Sequence, residues 1–221
     1  MSISYVLKER KNTYGDYRDD IQSLVELNPN QMSFDEYVYI YELIKSKGGC
    51  NLLIFGLGRD SELWLNVNAD GKTTFLEDNL DWIKIVNTQM NNLNKEIDIR
   101  HITYTNLGYD ADRLLTEYES GQNNLKLDLP NDILDNNWDV IIVDAPAGYG
   151  EDVPCRMKSI YESYNLTKTN LGADIFIHDS QRPVETMYAD YFFKNYSLEN
   201  TFPGVKETGS GAMRHYKNIK G

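Results

Sequence analysis

The sequence predicts a single α/β domain, residues 1–221, with a mostly parallel central sheet, helices on both faces and a C-terminal antiparallel hairpin. Three observations lead there. From residue 50 onward, short apolar runs alternate strictly with helical patterns, the order that builds parallel strands joined by crossover helices. The apolar runs, such as the one over residues 140–143, are continuous rather than alternating, as expected of strands buried on both faces. Each run also ends in glycine or a polar residue, at the edge where open α/β sheets bind ligands.

The elements follow in order. Residues 1–32 are polar and without clear periodicity, and read as an irregular N-terminal arm or a surface helix. "MSFDEYVYIYELIKSKGG" is a helix: Ser33 and Glu36 have capping-box spacing, apolar residues recur at helical intervals, and Gly48–Gly49 stops it. "CNLLIFGLG" is the first strand and "DSELWLNVN" its helix; "KTTFLED" and "NLDWIKIVNTQMNNLN" are the second pair. "IDIRHITYT" and "ADRLLTEYESG" form the third pair, "WDVIIVDAP" and "PCRMKSIYESYNLTK" the fourth, "GADIFIHDS" and "PVETMYADYFFKN" the fifth. "YSLENTF" and "MRHYKNI" read as the closing hairpin, bridged by the Gly-rich "PGVKETGSGA".

Composition narrows the function. With 34 acids against 22 bases the net charge is −12, so nucleic acid and anionic membranes, which require a positive field, are poor partners. Cys50 and Cys155 lie far apart in sequence and read as two isolated thiols of a reducing compartment. The N-terminus has no apolar signal region and no run reaches membrane-spanning length, so the expectation is a cytoplasmic protein without a membrane anchor. Nothing in the sequence speaks to oligomeric state.

The strand ends carry the chemistry. Gly56-Leu57-Gly58 lets backbone approach a ligand, and Ser61 opens the following helix. Glu77 ends the second strand 21 positions after Gly56, where an acid grips ribose hydroxyls in nucleotide-type sites. The third glycine of the dinucleotide fingerprint is missing, since Arg59, Asp60 and Ser61 follow Gly58. That disfavours a nicotinamide cofactor and a sugar oxidoreductase. An acidic rim without a pyrophosphate site suits S-adenosylmethionine, whose sulfonium and ammonium are cationic. Tyr104 ends the third strand and joins the same rim.

Asp144 ends strand four, and His178-Asp179 ends strand five. Two uses are open. Asp144 or His178 takes a proton from a substrate hydroxyl as general base, or Asp144 and Asp179 hold a divalent cation that orients and acidifies it. Four of the eight arginines, among them Arg59, Arg156, Arg182 and Arg214, fall in segments facing this rim. They suit an anionic substrate group or neutralise neighbouring acids such as Glu151, Asp152 and Glu185. The "DAD" at residues 110–112 is read as acids at a helix start, not as a sugar-nucleotide motif.

Taken together, "CNLLIFGLGRDSELW", "TTFLEDNLDWI", "WDVIIVDAPAGYGEDVPCRM", "SIYES", "DIFIHDSQRPVE" and "GAMRHY" resemble the plant glucuronoxylan 4-O-methyltransferase family, over about residues 50–217. The resemblance implies a Rossmann-like S-adenosylmethionine-dependent methyltransferase fold and methyl transfer to a sugar hydroxyl of an oligosaccharide or polysaccharide, position 4 of glucuronic acid in the plant enzymes. Carried over by position, it implies Gly56, Gly58, Ser61 and Glu77 as cofactor contacts. It also implies Asp144, His178 and Asp179 as the catalytic rim, and Tyr149, Arg156, Arg182, Arg214 and His215 on the substrate side. This chain shows no N-terminal anchor like that of the Golgi-resident plant enzymes, so another acceptor, such as a deoxyhexose of a microbial or viral glycan, is the alternative. A non-catalytic scaffold in polysaccharide assembly is the rival of a different class.

Overall fold

The computed structural model describes residues 16–205 and 211–220. Its first half runs α1 (Tyr17–Leu27), α2 (Phe34–Lys47), β1 (Asn51–Phe55), α3 (Ser61–Val67), β2 (Lys72–Glu77), α4 (Leu80–Asn92) and β3 (Asp98–His101). The second half runs α5 (Ala111–Glu119), α6 (Asn131–Leu134), β4 (Val140–Val143), α7 (Met157–Thr167), β5 (Asp174–His178), α8 (Pro183–Phe192), β6 (Ser197–Phe202) and β7 (Met213–Lys217).

The strands form one sheet in the order β3-β2-β1-β4-β5-β7-β6. The first five are parallel; β7 runs antiparallel between β5 and β6, closing the sheet with the expected hairpin. Part of its Gly-rich bridge, residues 206–210, lies outside the described residues. The chain order reverses between β1 and β4, and the crevice at that switch point is where doubly wound sheets bind ligands.

Because successive strand residues point to opposite faces, the continuous apolar strands feed two cores. Leu53, Phe55, Ile141, Val143, Ile175 and Ile177 pack under α5–α8 with Tyr188 and Phe193. Leu52, Ile54, Val140, Ile142 and Phe176 pack under α1–α4 with Ile40, Ile44 and Trp64.

Helix α2 keeps the capping box read from the sequence: Ser33 Oγ accepts from the Glu36 amide, and Glu36 Oε2 accepts from the Ser33 amide at 2.6 Å. Gly48 ends it at φ +64, a left-handed turn that costs glycine no Cβ clash. Of residues 1–32, read as an irregular arm or a surface helix, residues 1–15 lie outside the described residues. Residues 17–27 are helical, capped by Asp16, and Ile21 is fully buried against the second core. Burying that side chain contributes about 1.5–3 kcal/mol to docking α1, and Tyr17, Leu24 and Val25, partly buried, pack beside it. Among the described residues no helix is long and apolar enough to cross a membrane.

Candidate active site

At the switch point the ends of β1 and β4 meet. The Asp144 amide donates to Phe55 O at 2.9 Å, so the backbone of the two strand ends stays in register one step past the sheet. Gly56 turns there at φ +118, and a Cβ on it would lie 3.3 Å from the Ala145 Cβ. A side chain at this position would be both strained and crowded.

Beyond the turn opens a cavity of about 610 Å³. Gly56, Leu57 and Gly58 line it from β1, Glu77 and Asn79 from β2, and Asp144–Ala147 from β4. Tyr37 of α2, Asp60, Trp64 and Trp82 complete its walls, with Asn28, Gln31 and Met32 of the α1–α2 connection at one side.

Glu77 is buried, and its carboxylate is held by backbone amides: Oε2 accepts from Leu57 at 2.9 Å, Oε1 from Asp78 and Asn79. Burial pushes the carboxyl above its ordinary value, against those amide bonds. Each carboxylate oxygen has two acceptor directions, so Oε2 retains one for a hydroxyl. The Trp82 indole also donates to Leu57 O, fixing the other side of the turn. Ser61 is fully buried and serves the turn itself, with Oγ donating to Gly58 O at 2.8 Å and accepting from the Gly58 amide. Tyr104 is not among the cavity walls: it is buried in the core, bonded to Ser159 Oγ at 2.8 Å, and Ser159 in turn donates to Ala145 O.

Asp144 is the cavity's link to a buried charge network. His178 Nδ1 donates to Asp144 Oδ1 at 2.9 Å, a bond that places the ring proton on Nδ1. Arg156 Nη2 bridges Asp144 Oδ1 at 3.1 Å and Asp179 Oδ2 at 2.7 Å. The same guanidinium donates to His178 O at 2.6 Å and Pro146 O at 3.1 Å. Arg182 adds a second cation to Asp179 at 2.9 Å and donates to Ala147 O. Burial alone would raise the Asp144 carboxyl, but the charges of His178 and Arg156 outweigh it and hold it below 3.8. For His178, burial works toward a lower value, and the charge and hydrogen bond of Asp144 prevail, leaving it above 6.5.

This arrangement redistributes the roles expected from the sequence. The Asp144 side chain is 23% exposed, whereas His178 Nε2 is fully buried without a hydrogen-bond partner among the described residues. His178 therefore stands behind Asp144 and does not open to a substrate. Arg156, at 3% exposed, is an internal counter-ion, not a receptor on the rim. Asp179 sits at φ +57, an uncommon conformation for a residue with a side chain, pinned by both arginines. Asp144, His178 and Asp179 do bring potential metal-ligand atoms within 4.8 Å of one another. The Arg156 guanidinium already bridges the two carboxylates, however, so the set as arranged does not fit a divalent ion.

Tyr149 is 77% exposed at the cavity mouth, where a substrate-side residue is expected. Arg214 and His215, adjacent in sequence, are split by the strand. Arg214 pairs with Asp190 of α8 at 2.7 Å. His215 is buried on the other face, stacked on Phe176; Tyr39 Oη donates to its Nδ1, and its Nε2 donates to Asp174 Oδ1, both at 3.0 Å. Asp174 begins β5, at the sheet edge opposite the cavity, so the structure does not bring His215 to the site. The residues that sequence reasoning missed are Tyr37, Asp60 and Trp82. Asp60 and Trp82 follow the Gly-x-Gly turn and the β2 acid closely in sequence, whereas Tyr37 reaches the cavity from α2 through packing alone.

Comparison with known proteins places this geometry. A family model described as IRX15/IRX15L/GXM matches residues 35–203. The chain belongs to that family. Glucuronoxylan 4-O-methyltransferase 3 of Arabidopsis thaliana is 34% identical over 201 residues, covering 84% of this chain and 63% of the plant protein. Arabinogalactan O-methyltransferase 2 of the same plant is 33% identical, over 73% of this chain and 61% of its own length. This IRX15/IRX15L/GXM chain thus spans less than two thirds of these relatives. In fold it is similar to a Listeria monocytogenes protein assigned to the class I S-adenosylmethionine-dependent methyltransferases, with TM-score 0.55, 12% identity, and coverage of 92% of this chain and 69% of that one. The fold of this family member is accordingly the class I methyltransferase fold, a mostly parallel seven-stranded sheet with its antiparallel C-terminal hairpin.

Proposed function

We propose that this chain is an S-adenosylmethionine-dependent O-methyltransferase that acts on a sugar hydroxyl of a glycan. The observation that carries the reading is Asp144, an ionised carboxylate at the switch point that faces the cavity and is backed by His178 and Arg156. Family membership, with relatives named for methylation of glucuronoxylan and arabinogalactan, supports a polysaccharide acceptor. Glucuronic acid position 4 is the first acceptor to test, and a deoxyhexose the alternative.

The residues fit the cofactor. The Gly56–Gly58 turn offers bare backbone, Glu77 keeps an acceptor for a ribose hydroxyl, and Asp60 and Asp144 suit a cationic ligand. When bound, S-adenosylmethionine supplies an electrophilic methyl group on a positive sulfur. The protein's part is to hold the acceptor hydroxyl in line and keep water out, which for a bimolecular displacement is a large share of the rate. Asp144 accepts the hydroxyl hydrogen bond; as the O–CH3 bond forms and the S–CH3 bond breaks, the hydroxyl proton passes to this carboxylate. His178 and Arg156 keep it ionised and correctly turned until then.

The test is transfer of labelled methyl from S-adenosylmethionine to a panel containing glucuronoxylan, arabinogalactan and deoxyhexose-bearing glycans. Asp144→Asn and His178→Ala are each expected to lower turnover by about 10²–10⁴-fold with S-adenosylhomocysteine binding retained. Full turnover in both variants would sink the assignment of the base. A wild-type protein that binds cofactor but methylates nothing in the panel would favour the scaffold reading.

A further inference from the structure

Asp60 is a cavity wall that, among the described residues, no basic side chain answers. It stands at the N-cap of α3, yet its side chain makes no capping bond. Instead Oδ2 accepts from the Trp64 indole at 3.0 Å and from Tyr37 Oη at 3.4 Å, while Oδ1 is turned over the Gly58 backbone, 2.3 Å from where a Cβ would stand. Two aromatic donors from α2 and α3 thus aim one carboxylate at the cofactor turn, and Gly58 leaves room for it. Among the described residues no lysine or arginine pairs with it. Among the described residues the one cation lining the cavity, Arg59, is exposed and donates to Asn28 Oδ1 at 2.8 Å.

The surroundings sharpen the point. Asp144, Asp179, Asp174 and Asp110 each have a basic partner; Asp60 has neutral ones. Burial and the negative charge of Asp144 push its carboxyl up to about 6. An uncompensated acid beside a second acid is costly, and a cationic ligand between them removes that cost.

We infer that Asp60 is the receptor for the α-ammonium group of the cofactor's amino-acid arm. The inference rests on the S-adenosylmethionine reading above and deepens it. Of the four acids that line the cavity, Asp60, Glu77, Asp78 and Asp144, three divide the ligand. Glu77, at the end of β2, suits the ribose. Asp144, with the His178–Arg156 network behind it, stands at the reacting centre. Asp60, leaning over Gly58 in the same lining, is left for the ligand's second cation, the ammonium of the amino-acid arm.

Calorimetry with three probes tests this on the full chain: S-adenosylmethionine, S-adenosylhomocysteine, and 5′-methylthioadenosine, which lacks the amino-acid arm. Asp60→Asn preserves the acceptor for Trp64 and Tyr37 and removes only the charge. It is expected to weaken the first two ligands by a common factor, about 10- to 100-fold, and to leave 5′-methylthioadenosine within about 2-fold, with no loss of thermal stability. Equal weakening of all three would overturn the inference by making Asp60 a support of the turn, and so would no weakening of any. Failure of the wild-type protein to bind all three probes is a different result, and it would overturn the cofactor reading itself.

Discussion

Arg156→Ala separates a buried counter-ion from a substrate arginine, and the structure sets the size of the effect. The guanidinium holds two carboxylates at 3.1 and 2.7 Å and two backbone carbonyls at 2.6 and 3.1 Å, at 3% exposure. Removing one partner of a buried pair costs about 3–5 kcal/mol, and each orphaned carbonyl adds about 1–3 kcal/mol where water cannot reach it. The Asp144 side chain is 23% exposed, so water can enter beside it. The total is therefore expected at about 3–5 kcal/mol, not the full sum. At about 2–4 °C per kcal/mol for a chain of this size, Tm should fall by about 6–20 °C. Urea and thermal unfolding followed by circular dichroism at pH 7 measure both. The pH dependence has a definite sign. The folded-state carboxyl of Asp144 lies below 3.8, so its pairing contributes fully above that value and is lost as pH falls through the lowered one. Without Arg156 the carboxyl rises and is protonated sooner, so the variant's deficit is greatest near neutrality and narrows on acidification. A deficit under about 1 kcal/mol, accompanied by a collapse of turnover, would refute the internal role and restore Arg156 to the substrate face.

Two further substitutions probe the frame around that network. Gly56→Ala forces a side chain into φ +118 against Ala145 and should cost about 1–3 kcal/mol together with much of the S-adenosylmethionine affinity; unchanged calorimetry and Tm would show that the turn tolerates a Cβ. His215→Gln should destabilise by about 1–3 kcal/mol while the folded fraction keeps wild-type turnover. Burial would raise the Asp174 carboxyl, but His215 and Lys47 hold it below 3.8. This contribution too is present above that value and fades as pH falls through the lowered one. Lost turnover at unchanged stability would return His215 to the acceptor site.

The parts of this site legible in the sequence are those set by local geometry. Capping at Ser33–Glu36, the stop at Gly48, the Gly56 turn and the placement of Glu77 and Asp144 at strand ends all follow from spacing, and the structure shows each. What local spacing cannot decide is the direction of a side chain once long-range packing chooses its partner. "GAMRHY" presents Arg214 and His215 together, but adjacent residues of a strand point to opposite faces. One therefore reaches Asp190, the other Asp174 and Tyr39. Arg156 caps the start of α7 in a segment read as facing the rim, and is drawn inward because Asp144 and Asp179, from two strand ends, meet at it. Tyr104, expected at the end of the third strand, lies beyond it, since β3 stops at His101, and its hydroxyl turns to Ser159. Helix α1 gives only a weak pattern because Ile21 alone among its residues is fully buried, with Tyr17, Leu24 and Val25 packed partly against the core.

The charges in the cavity also bear on how a turnover would end. In the proposed reaction a sulfonium becomes a neutral thioether and one hydroxyl proton is released, so the ligand beside Asp144 loses its positive charge as the carboxylate gains a proton. Each change removes attraction between Asp144 and the spent cofactor. Asp60 has no such change to respond to, because the ammonium of the amino-acid arm persists in the product. A cavity with all its acids at the sulfur would bind substrate tightly and lose its hold completely on transfer. One with all of them on the arm would hold product as firmly as substrate. Placing Asp60 and Asp144 apart divides the two tasks: Asp60 secures the arm in both states, and Asp144 distinguishes them. Asp144→Asn should then bring the affinities for S-adenosylmethionine and S-adenosylhomocysteine closer together, whereas Asp60→Asn should lower both and leave their ratio unchanged.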